Sequence, residues 1–430
     1  AESQLKFERV STPDLEADAK SEDVDALVVD YNTDGLQDLL VLSGGGEFPE
    51  GHEANELRFY QQTPSGGLLR DREALAQPLR LNGGSLAFVD QSDGHWQVVV
   101  AARSVVDNYG ERPPMYVIYP DQSGKLQSAS IDIDWPSIGG AGLIRDIDVA
   151  ELTQDGWPDL LIASEWGPIV LFPGSAEGFR PRQAGVSEML RPAEVLPSKN
   201  GFWSAIATAD LDADGDLDIL AGNLGTNSKL AADSNHLVKL YYDDFDGNGK
   251  REQVITYTSP LGERPFATRE EIIGQLPGLR QIVPDHTSFA EASLQSLFPA
   301  NQLASAQQFV IDQTRSIWLE NRGNGQWTSH ELPDEIQSGP VELILPGLDN
   351  DWLFFGQDRG ANIQRGHYDA TLGWSLASGY FTQNQGSPSP LYVDGRVKDG
   401  LLLEGTNGRG YLLAINAESL QLLMELGLNR

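Results

Sequence analysis

The chain has 430 residues, a formal net charge of −33 and 40% hydrophobic residues. The length favours a repeat or propeller architecture over one compact core, and the hydrophobic content excludes wholesale disorder. The acidity argues against nucleic acid or an anionic membrane as a partner, and we expect most of it to serve solubility.

The chain shows features of an exported protein. It has no cysteine, which excludes thiolate metal sites and cysteine nucleophiles, and no run of about 18 apolar residues that predicts a membrane span. It begins Ala1-Glu2-Ser3 without a methionine, so we expect a signal peptide to have been removed. Together with the calcium loops below, these features predict a secreted, periplasmic or cell-surface location.

The first strand–loop–strand unit spans residues 26–42, where two apolar runs flank a loop of alternating oxygen-bearing side chains. Such spacing, with Gly35 at position 6, is typical of EF-hand-type calcium loops, although a strand follows here in place of a helix. The predicted ligands are Asp30, Asn32, Asp34, Leu36 (through its carbonyl) and Asp38.

Two further units follow at a spacing of about 60 residues. In the unit of residues 85–100 the loop after Asp90 is too short for a metal, and Asp93-Gly94 suits a tight hairpin. The next unit recovers the loop, with weaker oxygen donors at positions 1 and 3. Its predicted ligands are Glu151, Thr153, Asp155, Trp157 (through its carbonyl) and Asp159.

The fourth unit contains the clearest loop of the chain, GFWSAIATADLDADGDLDILAGNLGTNS at residues 201–228. Its predicted ligands are Asp210, Asp212, Asp214, Asp216 (through its carbonyl) and Asp218. Four neighbouring carboxylates would repel each other without a cation. The alternative for each of these loops is a solvated acidic turn, because Asp-Gly is itself a turn signal.

Another calcium loop follows at residues 244–252, too soon for the 60-residue spacing. We therefore expect it to join the outer strands of the fourth unit. Its predicted ligands are Asp244, Asp246, Asn248, Lys250 (through its carbonyl) and Glu252. The four loops together predict three or four bound Ca²⁺ ions.

The pattern changes to helical in an insertion at residues 264–302. Capping boxes are predicted at Thr268–Glu271 and Ser288–Glu291, and each starts a short helix with one apolar face. The insertion is either a cap that binds a partner or a lid over the core, and its apolar positions favour the lid.

Strand starts near residues 26, 85, 143, 203, 306, 340 and 390 give seven units. An expected loop near Asp349 is too short for a metal. Repeated four-stranded units of alternating pattern predict an all-β fold, a single seven-bladed β-propeller over residues 1–430 with the helical insertion after the fourth blade. The strand Leu5–Val10 is expected to complete the last blade and close the ring.

The loops and their flanks carry a resemblance. VVDYNTDGLQDLLVL, ADLDADGDLDILAGNLGTNS and YDDFDGNGKREQVITY resemble FG-GAP or VCBS repeats, the calcium-loop blades also found in integrin α-subunit propellers. The order EWGPIVLF, DFDGNGK, PFATREEIIGQLPGL, LPDEIQSGPV and GHYDATLGWSL is similar to bacterial secreted relatives of the cartilage acidic protein family. The resemblance implies a calcium-bound, secreted propeller and implies no reaction.

Two functions remain open from the sequence. The first is a noncatalytic, monomeric propeller that mediates adhesion by binding an extracellular protein or glycan through its blade loops. The second is a polysaccharide lyase or hydrolase with its site in the central funnel. The noncatalytic function is favoured because no HExxH pair or GxSxG elbow is present. His367 is the most site-like position for proton transfer, although a lone histidine is more often structural.

Overall fold

A computed structural model describes the chain at residues 12–91, 95–180, 188–189, 194–348, 351–358, 367–383, 386–405, 408–416 and 421–424. The predicted closing strand Leu5–Val10, the Asp93-Gly94 hairpin and the turn at Asp349 lie outside these residues.

Antiparallel sheets dominate the described residues, and the first three follow each other along the chain. The first sheet comprises β1 (Glu22–Val29), β2 (Asp38–Gly44), β3 (Arg58–Gln62) and β4 (Leu68–Asp71). The second comprises β5 (Gly83–Asp90), β6 (Trp96–Ala102), β7 (Met115–Pro120) and β8 (Leu126–Asp132). The third contains β9 (Leu143–Ala150), β10 (Asp159–Gly167) and β11 (Val170–Phe172). Three two-residue strands extend them: β12 (Glu188–Met189) on β8, β13 (Glu194–Val195) on β11 and β14 (Gly201–Phe202) on β10.

The fourth sheet is split by an insertion. It starts with β15 (Ala205–Ala209) and β16 (Asp218–Gly222). The chain then builds a separate inserted sheet from β17 (Val238–Asp243), β18 (Glu252–Ser259), β19 (Gly262–Pro265) and β20 (Gln307–Ile311). Only afterwards do β21 (Ile317–Asn321) and β22 (Trp327–Glu331) pair onto β16 and complete the fourth sheet.

This topology corrects two sequence predictions. The loop 244–252 does not join the outer strands of the fourth unit, because its strands β17 and β18 belong to the inserted sheet. The strand predicted to open a fifth unit, β20, pairs with β17 and closes that inserted sheet. The described residues therefore form seven sheets, but only six of them succeed each other along the chain.

The last two sheets are shorter. The fifth comprises β23 (Leu343–Pro346), β24 (Asp351–Phe355), β25 (Trp374–Ala377) and β26 (Ser389–Pro390). The sixth comprises β27 (Val397–Gly405), β28 (Gly408–Ile415) and β29 (Gln421–Met424).

Helices of the described residues are short. The α-helices are α1 (Pro13–Ala17), α2 (Trp135–Ile138), α3 (Arg269–Gln275), α4 (His286–Glu291), α5 (Leu294–Leu297), α6 (Ala300–Ser305) and α7 (Gly379–Gln383). Single 3₁₀ turns lie at Glu53–Asn55, Pro277–Gln281 and Ile336–Ser338. Among the described residues no helix has the length and apolar character needed to cross a bilayer.

The helical insertion packs onto the inserted sheet. Thr268 and Glu271 form the predicted capping box at α3. The second box differs: α4 begins after Asp285, and Ser288 is its third residue in place of the cap. Buried apolar residues of α3, α5 and α6 share a core with Tyr241 and Val254 of the sheet. The apolar faces of these helices are buried against the inserted sheet, and this burial stabilises the insertion.

The first strands of the six successive sheets lie side by side. We call β1, β5, β9, β15, β23 and β27 the inner strands, and each packs on the next in chain order. Buried apolar side chains fill the space between adjacent sheets. Inner-strand aspartates also join neighbours: Asp25 accepts a hydrogen bond from the Leu86 amide at 2.7 Å, and Asp146 one from the Ile206 amide at 2.8 Å.

Candidate metal loops and a charged cluster

The four predicted metal loops share one backbone conformation. Three of them join the first two strands of the first, third and fourth sheets, and the last joins β17 to β18. In each, positions 4 and 6 have positive φ: 60° and 86° at Thr33 and Gly35, 59° and 88° at Gln154 and Gly156, 64° and 98° at Ala213 and Gly215, 75° and 87° at Gly247 and Gly249. Glycine at position 6 makes this curl possible at little steric cost.

In the first loop the side chains at positions 1, 3 and 5 turn inward and bind the loop's own amides. Asp30 accepts hydrogen bonds from the amides of Asp34 and Gly35, at 3.1 and 2.9 Å. Asp38, at position 9, is fully buried; its Oδ1 accepts from the Gln62 amide at 2.8 Å, and its Oδ2 has no partner among the described residues. A buried carboxylate oxygen without a hydrogen-bond donor, close to the charges of Asp34 and Asp30, is suited to act as a metal ligand.

The loop 210–218 brings three carboxylates together. Ligand atoms of Asp210, Asp212 and Asp218 lie within 4.8 Å of one another. Burial raises the pKa of Asp218 to about 7, with Asp212 and Asp214 adding to the rise against hydrogen bonds from two backbone amides. A divalent cation would remove both the desolvation cost and the mutual repulsion, so this donor set fits calcium.

The loop 244–252 repeats this arrangement on the inserted sheet. Ligand atoms of Asp244, Asp246 and Glu252 lie within 4.8 Å of one another. Burial raises the pKa of Glu252, and the charges of Asp246 and Asp244 raise it further. Asn248 completes the alternation, because its side-chain oxygen accepts from the Lys250 amide at 2.7 Å.

The loop 151–159 has the same backbone, and its position-9 carboxylate accepts additional hydrogen bonds from Thr153. Both oxygens of Asp159 are already engaged, by the amides of Leu152, Thr153 and Gly174 at 2.7–2.8 Å and by the Thr153 hydroxyl at 3.2 Å. Glu151 accepts from the Asp155 amide at 3.0 Å. Asp218 likewise accepts two backbone amides, so the two hydrogen bonds from Thr153 are what this loop adds. Since a metal must compete with these additional bonds, we expect this loop to bind calcium more weakly than the others.

The residues at position 7 were predicted to contribute carbonyl groups. Their amides hydrogen-bond to the side chain at position 5, at 2.7–2.9 Å, which orients the backbone there. These residues are Leu36, Trp157, Asp216 and Lys250.

Two of the loops are tied together by a residue that the sequence did not single out. The Asn321 side-chain amide donates to the carbonyls of Leu152 and Leu217, at 3.3 and 3.2 Å, and the Asn321 backbone amide donates to Asp218 at 2.7 Å. Gln154 also hydrogen-bonds to the Asp216 carboxylate. The loops 151–159 and 210–218 therefore share one supporting residue. Nothing in local spacing marks Asn321, since it lies about 100 residues beyond the second loop along the chain.

A second cluster of charged residues lies at the opposite ends of the inner strands. Because Glu165 of β10 pairs in register with Leu143, the start of β9, it lies at the other end of that strand from the loop 151–159. We call Arg103, Arg145, Glu165, Glu342, Arg396 and Lys398 the rim cluster. They come from the second, third, fifth and sixth sheets, so no sequence motif could have joined them.

Two buried carboxylates organise the rim cluster. Glu165 accepts from the Tyr109 hydroxyl at 2.5 Å and from Arg145 at 3.1 Å. Glu342 binds the guanidinium of Arg396 through two hydrogen bonds of 2.7 and 2.6 Å. Burial opposes ionisation of both glutamates, yet the pKa of each is lowered because neighbouring guanidiniums outweigh it.

His367, the most site-like histidine of the sequence, precedes Tyr368. The backbone of Tyr368 bonds that of Asp358 in both directions, and its hydroxyl accepts from Ser228 at 3.2 Å. The adjoining residues 359–366, which include Arg365, lie outside the described part of the chain. A catalytic role for His367 stays a hypothesis.

Comparison with known families identifies one repeat. A family profile described as an FG-GAP-like repeat matches residues 152–221, from the loop of the third sheet through β16. The chain therefore contains an FG-GAP-like repeat at these residues, as its loops predicted.

Curated relatives include integrin α subunits. Integrin alpha-6 of Gallus gallus is 28% identical over 152 residues, which cover 33% of this chain and 13% of the integrin. Integrin alpha-6 of Homo sapiens is 25% identical over 161 residues, 36% of this chain and 13% of the integrin. The matched region is thus a small part of the integrin subunits' length.

Among solved structures, the crystal structure of the V. cholerae biofilm matrix protein Bap1 aligns with 92% of this chain and 77% of its own. The TM-score is 0.33 and the identity 8%.

Proposed function

We propose that this FG-GAP repeat chain is a noncatalytic, calcium-stabilised β-propeller that acts outside the cytoplasm as a monomeric adhesion module and binds an extracellular protein or glycan. The inner strands would surround a common axis, and the sixth sheet would lie beside the first and close the ring. In support, the charge of Asp399 on β27 raises the pKa of Asp25 on β1, and the charge of Asp25 raises the pKa of Asp146 on β9.

The observation that carries the proposal is the set of four loops, three at one end of the inner strands and one on the inserted sheet. In the loops 210–218 and 244–252 the buried position-9 carboxylate lies close to two other carboxylates, which is costly without a cation and favourable with one. Calcium would then act on stability by mass action, contributing about 2.7 kcal/mol per site at a hundredfold excess over its dissociation constant.

Chelation of the purified chain tests the metal requirement. We expect EGTA to lower the melting temperature, calcium to restore it, and magnesium to restore it poorly because magnesium requires tighter octahedral geometry. An unchanged melting curve would mean that the loops are acidic turns.

A pair of substitutions in one loop separates metal binding from loss of charge. Asp214→Ala removes a predicted ligand at position 5, so we expect one calcium ion fewer by calorimetric titration. Asp216→Ala makes the same charge change at position 7, where the predicted ligand is the carbonyl and the carboxylate instead contacts Gln154. It should keep the ion count. Equal stoichiometry in both variants would contradict the ligand assignment.

A further inference from the structure

We propose that the rim cluster binds a carboxylate group carried by an otherwise uncharged ligand. The inference rests on the proposed binding function and adds to it the chemistry of the ligand. It places that ligand at the ends of the inner strands that lie away from the metal loops.

Four cations surround two buried carboxylates in this cluster. Arg145 lies between the two, with nitrogens 3.1 Å from Glu165 and 3.8 Å from Glu342. Arg396 donates one hydrogen bond to each carboxylate oxygen of Glu342, and another of its nitrogens lies 3.6 Å from Asp358. The side chains of Glu165 and Glu342 are only 14% and 12% exposed, so their carboxylates interact mainly with the cations of the cluster.

The other two cations have head groups available to a ligand. Arg103 comes no closer than 3.5 Å to Glu165, and Lys398 no closer than 3.9 Å to Glu342. Both distances exceed the 2.7–3.2 Å typical of an N–H···O hydrogen bond. Their side chains are 46% and 45% exposed, whereas that of Arg145 is 13% exposed. A ligand oxygen can therefore reach them from solvent.

The positive charge of Lys398 is repelled by three neighbouring guanidiniums. Burial lowers the pKa of Lys398, and the guanidiniums of Arg396, Arg145 and Arg103 lower it further, against the attraction of Glu342. A ligand carboxylate that contacts the exposed head group of Arg103 or Lys398 would reduce that repulsion and gain charge-assisted hydrogen bonds.

The charge of the whole chain restricts the kind of ligand. At a formal −33, the chain repels polyanions at long range, so an acidic polymer would be disfavoured before it reached the cluster. A single carboxylate on a neutral skeleton avoids that repulsion. An acidic sugar residue is a ligand of this chemistry.

The test is titration of the full calcium-loaded chain with sodium glucuronate, with glucose as the neutral control, followed by saturation-transfer NMR and calorimetry. We expect glucuronate to bind, glucose not to bind, and binding to weaken as sodium chloride rises. Arg103→Gln and Lys398→Gln should each weaken binding about tenfold, as expected for loss of one charge-assisted hydrogen bond. Lys125→Gln, an exposed lysine in a turn outside the cluster, is the matched control and should bind as the natural chain does.

Several results would overturn the inference: glucuronate binding no better than glucose, or both cluster variants binding like the natural chain. Equal binding of sulfate and phosphate would mean a site for inorganic anions only. Tighter binding of poly-glutamate would mean an acidic protein ligand and remove the argument from net charge. None of these results affects the chelation experiment, so failure here is distinguishable from failure of the calcium-stabilised module.

Discussion

Replacement of the inner-strand Asp146 by asparagine should change how stability depends on pH. Burial raises the pKa of Asp146 from 3.8 to about 7, and the charges of Asp148 and Asp25 add to the rise, against hydrogen bonds from the Ile206 and Ile147 amides. The folded state therefore holds a proton that the unfolded chain loses near pH 4. Between those two pKa values the folded state binds more protons, so its stability must fall as pH rises.

The size of the effect follows from the shift. One pKa unit corresponds to about 1.4 kcal/mol, so about 3 kcal/mol of the natural chain's stability should be lost between pH 5 and pH 8 through this group. Asparagine cannot ionise, and Asp146→Asn should lack that loss. The advantage of the variant over the natural chain should then grow by about 3 kcal/mol across the same range.

Urea unfolding in saturating calcium, at intervals from pH 5 to pH 8, measures this difference. Contributions of the metal loops are common to both proteins and cancel. Asp121→Asn is the control: hydrogen bonds from Ser123 lower the pKa of Asp121, so this carboxylate is ionised in both states over the whole range. The difference in unfolding free energy between Asp121→Asn and the natural chain should not change with pH. Parallel curves for Asp146→Asn and the natural chain would show that Asp146 is ionised in the fold, and the burial argument would fail.

Three further substitutions test single contacts by thermal or urea unfolding. Asn321→Ala removes the hydrogen-bond donor shared by two metal loops, so it should cost about 2 kcal/mol of stability and weaken calcium binding at both loops. Weaker calcium binding at one loop alone would mean that the two loops are independent. Thr268→Ala should cost about 1 kcal/mol through loss of the helix cap and Thr268→Ser very little, so equal losses would point to the methyl group. Gly222→Ala would place a Cβ 2.4 Å from the Val341 carbonyl oxygen and should cost about 1–3 kcal/mol of stability. Gly274→Ala, in an open helical position, is the control and should stabilise the chain slightly. Stabilisation by both substitutions would refute the close packing at Gly222.

The loops were accessible from the sequence because their information is local. Ligand spacing, the glycine at position 6 and the flanking apolar runs all lie within about 15 residues, and the structure gives all four loops the same backbone. Glu151 and Thr153 were also recognisable in the sequence as weaker oxygen donors, so weaker binding by the loop 151–159 stays a prediction. What spacing could not show was the engagement of Asp159 by amides from its own loop and from Gly174.

Strand pairing was harder to predict because it is nonlocal. β17, β20 and β21 have the same short apolar pattern, so the sequence offers no reason to pair β16 with β21 in place of β17. The rim cluster lay beyond sequence reasoning for a similar reason. Its members are single arginines, glutamates and a lysine whose common feature is their position at the end of the sheets where the inner strands begin.

The split of the fourth sheet sets an order of assembly. About 90 residues separate Gly222 from Ile317, so during synthesis β15 and β16 leave the ribosome long before their partner β21 exists. A flexible segment of that length would make closure entropically costly and slow. Once the insertion has folded, however, its two ends meet, because the Gly225 amide bonds the Thr314 carbonyl at 2.7 Å and the Asn223 amide bonds the Ser316 hydroxyl at 3.0 Å. The prefolded insertion then delivers β21 to β16 as a short connection would, and a mutation that delays the insertion should delay the fourth sheet with it.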